Sequence, residues 1–200
     1  MANFNRLAGF YDFLKGLVFG NELHQAITYF LSHTPLNSEV LIIGGGTGQL
    51  LANFKPTHKI TYLELSEAMI IRARKVRSGA EVNFVQADIL EWKSEVEFDL
   101  VITPFVLDCF KEKQLNLIYP KLKNLLKKRG KWIQTDFYPK NRVQKLLIKI
   151  MYSFFRLSAG LETKQLPDFN KLFDKHNFIC TGKACFYHSM VESKIYQNIE

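Results

Sequence analysis

The run Val40-Leu41-Ile42-Ile43 passes directly into Gly44-Gly45-Gly46-Thr47-Gly48, and no other stretch restricts the fold of this chain so tightly. A short, continuous apolar run closed by glycine predicts a strand buried on both faces. Glycines at that point let the main chain turn sharply and leave room for a ligand against the backbone before a helix opens. The same kind of apolar run recurs at residues 60–63, 82–85, 100–102 and 132–133, with helix-like stretches at 49–54, 67–76 and 112–128 between them. Strand and helix therefore alternate. That pattern predicts an α/β fold, a Rossmann-like, mostly parallel sheet with helices on both faces.

The two ends read differently. Leu7, Tyr11, Leu14, Val18, Leu23, Ile27 and Phe30 recur at helical steps. They predict an N-terminal helical lid over residues 1–36, interrupted near Gly16 and Gly20 and closed by Thr34-Pro35-Leu36-Asn37. Residues 141–157 predict a long, very apolar helix, followed by Pro167 and a short helix reaching about His176. Residues 178–197 are rich in β-formers without a helical period and predict a closing antiparallel strand pair. A chain of 200 residues, 47% of them hydrophobic, is long and apolar enough for one core. The expectation is a single domain over 1–200: lid 1–36, cofactor-binding core 37–138, and substrate-side helices and closing strands 139–200.

Charge narrows the partner less than the pattern narrows the fold. Lys and Arg number 27 against 19 Asp and Glu, a formal net charge of +8. Such an excess suits nucleic acid, an anionic membrane surface or an acidic small molecule, and selects none of them. Cys109, Cys180 and Cys185 form no Cys-x-x-Cys pair, so neither a disulfide framework nor a metal site is expected. No secretory pattern opens the chain and no window holds 18 consecutive apolar residues, which predicts a cytoplasmic protein without a spanning helix.

The glycine loop can be tested against three chemistries. A phosphate-cradling loop needs Gly-Lys-Ser/Thr, but Gln49-Leu50 follow Gly48. A dinucleotide fingerprint needs a third glycine where Gln49 stands. What remains is Gly-x-Gly-x-Gly. The second strand then ends Leu63-Glu64, placing a carboxylate beside the loop, where it can accept from both hydroxyls of a ribose diol. The third strand ends Gln86-Ala87-Asp88, a second acid at the sheet edge where open α/β folds bind ligands.

These residues resemble the three cofactor motifs of the class I S-adenosylmethionine-dependent methyltransferases. The first motif is residues 40–48, the second Leu63-Glu64-Leu65-Ser66-Glu67-Ala68-Met69, and the third Gln86-Ala87-Asp88. The resemblance implies a seven-stranded sheet with S-adenosylmethionine over Gly44, Gly46, Thr47 and Gly48. It also implies ribose hydroxyls on Glu64, adenine near Met69 with its amine on Asp88, and further cofactor contacts from Leu65, Ile89 and Thr103. Residues 4–12 are similar to the segment ahead of the loop in ubiquinone/menaquinone-biosynthesis methyltransferases, which makes Tyr11 a lid contact. One departure stands out: Ile42 occupies a position where the family usually has an acid. Spermidine synthases resemble the chain at the loop, but their polyamine-binding acids are not found after the fourth strand.

Methyl transfer is an in-line displacement governed by positioning and exclusion of water, so no catalytic triad is required. The acceptor side is expected after the fourth strand. There Thr103-Pro104-Phe105 lacks the Asn/Asp-Pro-Pro-aromatic pattern of amino-group methyltransferases that act on bases and glutamine. Asp108 is the candidate general base, against the plainer reading of a helix-capping or solvent-facing aspartate. Phe105, Asp136, Tyr138 and Phe155 are candidate substrate contacts. In the 143–157 helix, Lys145, Lys149 and Arg156 share one stripe, and Leu146, Leu147, Ile150, Met151, Phe154 and Phe155 form a broad apolar face. That face suits core packing, an apolar substrate lid or peripheral contact with a membrane surface.

The expected function is methyl transfer from S-adenosylmethionine to a small apolar or aromatic acceptor, at oxygen or carbon, with no nucleic acid as first choice. The basic run Lys121, Lys123, Lys127, Lys128, Arg129 and Lys131, placed by pattern at a helix end, motivates an RNA or protein methyltransferase as the rival. Ile42 motivates a second rival, a non-catalytic S-adenosylmethionine-binding protein. Neither the methyl-accepting atom nor the oligomeric state is legible.

Overall fold

A computed structural model describes residues 19–159, 163 and 165–198, except for the side chains of 155 and 157–159. Its strands are β1 (Glu39–Ile43), β2 (Lys59–Glu64), β3 (Glu81–Gln86), β4 (Phe98–Pro104), β5 (Leu126–Phe137), β6 (Phe178–Phe186) and β7 (Val191–Asn198). They form one seven-stranded sheet in the order β3-β2-β1-β4-β5-β7-β6. The first five strands run parallel, and β7 pairs antiparallel with both β5 and β6. The helices are α1 (Glu22–Thr28), α2 (Glu67–Ala73), α3 (Glu112–Leu125), α4 (Arg142–Ala159) and α5 (Phe169–Lys175). The predicted Rossmann-like α/β sheet and its closing antiparallel pair are present.

The continuous apolar run of β1 is explained by its two faces. Leu41 and Ile43 enter one core with Val101, Trp132 and Tyr196, covered by Leu115, Tyr119 and Leu122 of α3 and Phe169 and Phe173 of α5. Val40 and Ile42 enter the other with Leu100, Ile102 and Ile133, covered by Ile27 of α1 and by Leu50 and Leu51. Phe173 stacks on Tyr196 with ring centroids 3.6 Å apart, fastening α5 to the β7 face. Neither face of the central strands meets water, so alternation of polar and apolar residues is absent there.

The helix-like stretch expected at 49–54 is a 3-10 helix, Gln49–Asn53. Three local expectations are corrected. The helix after β2 ends at Ala73 rather than 76, opened by the Ser66 hydroxyl, which accepts from the Met69 amide. α3 ends at Leu125, and residues 126–128 begin β5: Leu126 is buried and pairs with Phe98, while Lys127 Nζ meets Asp99 at 2.9 Å. Lys127, Lys128, Arg129 and Lys131 thus lie on a strand, with Arg129 at φ 63°, and only Lys121 and Lys123 belong to the helix. Finally, the broad apolar face of α4 is divided. Ile148 and Tyr152 are buried, with Leu147 and Met151 packed against them, while Val143, Leu146 and Ile150 are exposed. No helix among the described residues is long and apolar enough to cross a membrane.

Candidate functional site

The site is built on the C-terminal ends of β1, β2, β4 and β5. After β1 the Gly44 amide donates to the Leu63 carbonyl at 2.9 Å, tying the turn to β2. The loop is packed on three sides. A Cβ on Gly44 would lie 2.4 Å from Val106, one on Gly45 2.5 Å from the Tyr62 hydroxyl, and one on Gly48 2.7 Å from Ala73. Gly48 also has φ +78°, so a side chain there would be both strained and obstructed. At Gly46, with φ +62°, a Cβ would meet nothing within 4 Å. The loop is therefore fixed from below and open at Gly46.

Glu64 closes one side of that opening. Its Oε2 accepts from the Gly46 amide at 3.2 Å and its Oε1 from the Ser66 amide at 2.9 Å. Burial raises its pKa, while the Ser66 and Gly46 amides pull it back down. Beside it, Met69 is buried, Leu65 is exposed, and Ile89 lies in the core. Asp88 accepts from the Leu90 amide at 2.9 Å, which holds the turn after β3. Thr47 is half-buried. Thr103 is fully buried within β4, paired with Gln134 of β5, and its hydroxyl accepts from the Trp132 indole at 2.8 Å. Tyr11 lies outside the described residues.

Across the sheet edge the chain assembles a buried acid pair. Phe105 leaves β4 at φ 51°, with its amide bonded to the Thr135 carbonyl at 2.8 Å and its ring on Phe137. This left-handed residue, costly for a bulky side chain, turns the 3-10 segment Leu107–Cys109 over the edge. Asp108 is only 7% exposed, so it is neither a solvent-facing nor a simple capping residue. Its Oδ2 accepts from the Tyr152 hydroxyl at 3.1 Å and its Oδ1 from the Cys109 thiol at 3.5 Å. Burial pushes Asp108 up to about 6, against the hydrogen bonds from Tyr152 and Cys109. Asp136 is fully enclosed: Oδ1 accepts from the Phe137 amide at 2.9 Å and Oδ2 has no hydrogen-bond partner. Burial, then the charge of Asp108, hold Asp136 well above the ordinary carboxyl range. Two neighbouring acids in low dielectric cannot both ionise cheaply, so the charge of either one opposes ionisation of the other.

Of the other expected acceptor contacts, Tyr138 donates to Gln134 at 2.8 Å and packs on Phe169 of α5. The Phe155 side chain lies outside the described residues. Pattern alone did not single out Tyr62, Cys109, Tyr152 or Glu192. Glu192, opposite Asp136 in the β5–β7 register, is 1% exposed and carries Lys140, Lys183 and Lys194 on one carboxylate. Tyr152 reaches Asp108 from 44 residues away, and no local spacing announces such a contact.

A seven-stranded sheet of this order, with a glycine loop after β1 and an acid at the end of β2, defines the fold of the class I S-adenosylmethionine-dependent methyltransferases. Residues 40–130 match the family described as a methyltransferase domain. The chain is 34% identical over 110 residues to a malonyl-[acyl-carrier protein] O-methyltransferase of Paenibacillus sp. (strain JDR-2), covering 50% of this chain and 39% of that one. It is also 34% identical over 119 residues to the protein of the same name from Priestia megaterium (strain DSM 319 / IMG 1521), covering 57% and 42%. The chain thus spans about two fifths of the length of these curated relatives. The N-methyltransferase NodS of Bradyrhizobium japonicum WM9, solved with S-adenosyl-L-homocysteine, shares the fold with a TM-score of 0.67 at 15% identity. That alignment covers 92% of this chain and 89% of NodS. Residues 40–130 thus match a methyltransferase domain, and the chain as a whole shares its fold with a solved methyltransferase.

Proposed function

We propose that this chain transfers a methyl group from S-adenosylmethionine to an oxygen of a small apolar or aromatic acceptor. The observation that carries the cofactor reading is the Glu64 carboxylate, held 3.2 Å from the amide of Gly46, the loop glycine whose Cβ direction is open. An open backbone edge beside a buried acid fits a ribose diol, and the acid pair across the edge suits a cationic ligand. Gly44, Gly46, Thr47 and Gly48 would then hold the cofactor's backbone side, Glu64 its ribose hydroxyls, and Met69, Asp88 and Ile89 its adenine. When bound, S-adenosylmethionine would supply an electrophilic methyl carbon open to in-line attack by an acceptor atom, with S-adenosylhomocysteine as the leaving group. Asp108, pushed up to about 6 by burial, would accept the hydroxyl proton of the acceptor during transfer. Tyr152 and Cys109 orient its carboxylate, and the apolar wall of Phe105 and Phe137 excludes water.

Calorimetry tests the cofactor reading. S-adenosylmethionine and S-adenosylhomocysteine are expected to bind and NAD is not; failure of both adenosyl ligands overturns the assignment. In Glu64→Ala the loss of a charged acceptor should weaken S-adenosylhomocysteine binding by about 10- to 100-fold. Full affinity in that variant would remove Glu64 from the ribose role.

A second reading draws support from the lysines on Glu192, which lie beside Asp136 on the acceptor side. They favour an acyl acceptor with an anionic carboxylate oxygen, in keeping with the names of the curated relatives. Such an oxygen is already ionised and needs no base, so Asp108→Asn separates the two readings: it disables a hydroxyl acceptor and spares a carboxylate.

A further inference from the structure

The glycine loop carries an aromatic support that no local motif announces. Tyr62 lies on β2 in register with Ile42 of β1, and both side chains are fully buried on the same side of the sheet. Ile42 offers the loop no polar atom. The Tyr62 hydroxyl instead donates to the Gly46 carbonyl at 2.9 Å, while the Glu64 carboxylate takes the amide of the same residue. Gly46 is therefore held at both ends of its peptide frame by two side chains of one strand. Any Cβ at Gly45 would fall 2.5–2.6 Å from the Tyr62 ring and hydroxyl, so Gly45 is the residue that admits the phenol beneath the loop. The ring itself is braced by Phe84 of β3, with centroids 5.2 Å apart.

From this geometry we infer that Tyr62 is a positioning residue for cofactor binding: its hydroxyl fixes Gly46 in the conformation that presents the open loop edge to the cofactor. The inference rests on the cofactor reading above. Ile42, Gly45 and Tyr62 act as one set, in which an apolar residue on β1 and a missing side chain in the loop make room for a phenol from β2. Burial, then the negative charge of Glu64, push the Tyr62 phenol well above its ordinary value, so it remains a donor throughout the working pH range.

The test compares Tyr62→Phe with Phe84→Leu, both on the full chain. Tyr62→Phe removes one hydroxyl and keeps the ring. It is expected to weaken S-adenosylhomocysteine binding by about three- to tenfold, the usual worth of one such hydrogen bond. In turnover it should raise KM for S-adenosylmethionine while leaving KM for the acceptor unchanged. Phe84→Leu loosens the packing around the same ring without touching the hydroxyl, and should lower the melting temperature while costing less affinity than Tyr62→Phe. Amide exchange in the ligand-free protein supplies a readout that needs no cofactor: Tyr62→Phe should speed exchange at Gly46 and Gly48. Wild-type affinity and unchanged exchange in Tyr62→Phe would overturn the inference, as would an equal loss of binding in Phe84→Leu. A wild-type chain that binds neither adenosyl ligand sinks the cofactor reading and, with it, the role in binding. The exchange measurement still decides whether Tyr62 holds the loop.

Discussion

Asp108→Asn is expected to reduce turnover on a hydroxyl acceptor by about 10²- to 10⁴-fold, the range spanned by a positioned general base, while S-adenosylhomocysteine affinity stays unchanged. Asn preserves an acceptor for the Tyr152 hydroxyl and nearly the same shape, so the lesion is confined to proton transfer. In the wild-type chain kcat/KM should rise with pH through about 6, where Asp108 loses its proton. That limb should vanish from whatever activity the variant retains. The same substitution should make the protein more stable. Asp108 holds its proton to about 6 when folded, whereas an unfolded aspartate loses it near 3.9. Between those values the folded chain binds more protons than the unfolded one, so stability falls as pH rises through the window and stays reduced above it. Asn never ionises. A gain on the order of 2–3 kcal/mol is therefore expected at pH 7–8, with none at pH 3. Denaturant melts at the two pH values read it directly. A variant that is fully active on a hydroxyl acceptor would end the role of Asp108 as base.

Glu192→Ala is expected to cost on the order of 3 kcal/mol, the penalty for stranding a buried charge, and to lower the melting temperature by roughly 10 °C. The loss comes chiefly from one partner. Lys140 and Lys183 are about half exposed and regain water when the carboxylate is removed. Lys194 is 5% exposed on its side chain, 3.8 Å over the Tyr138 ring and bonded to Asn170. Burial alone would raise the Glu192 pKa, but hydrogen bonds from Lys140, Lys194 and Lys183 hold it below the ordinary glutamate range. Its stabilisation is thus present above the unfolded value and disappears as pH falls through the depressed folded one. Adding Lys194→Met to Glu192→Ala should restore at least half of the loss, because no uncompensated charge then remains inside. A double variant no more stable than Glu192→Ala would show that the cost arises elsewhere.

Much of the architecture was legible because its causes are local. A buried parallel strand must be apolar on both faces, and a chain that alternates such runs with amphipathic helices has few ways to bury them. The glycine loop and the acid two residues beyond Tyr62 were legible for a related reason, since both sit at strand ends that the pattern marks. The boundary between α3 and β5 shows the limit. The run Leu125-Leu126-Lys127-Lys128 continues the helical texture of α3, and only the pairing of Leu126 with Phe98 and the contact between Lys127 and Asp99 make it strand. The outward turn of Leu146 and Ile150 on α4 was hidden too, because periodicity shows that a face is apolar without showing what covers it.

The candidate site divides along the same line. By itself the sequence determined the sheet, its parallel core and closing hairpin, the glycine loop, and the placement of Glu64 at the end of β2 and of Asp88 just after β3. These follow from hydrophobic period and from residues adjacent in the chain. Tertiary structure alone decided that Tyr62 supports the loop beneath an apolar Ile42. It likewise decided that Asp108 is buried against Tyr152 beside an enclosed Asp136, and that one enclosed glutamate gathers three lysines. Ionisation depends on dielectric and on neighbours brought together from distant segments, so it appears only once the chain has closed around them.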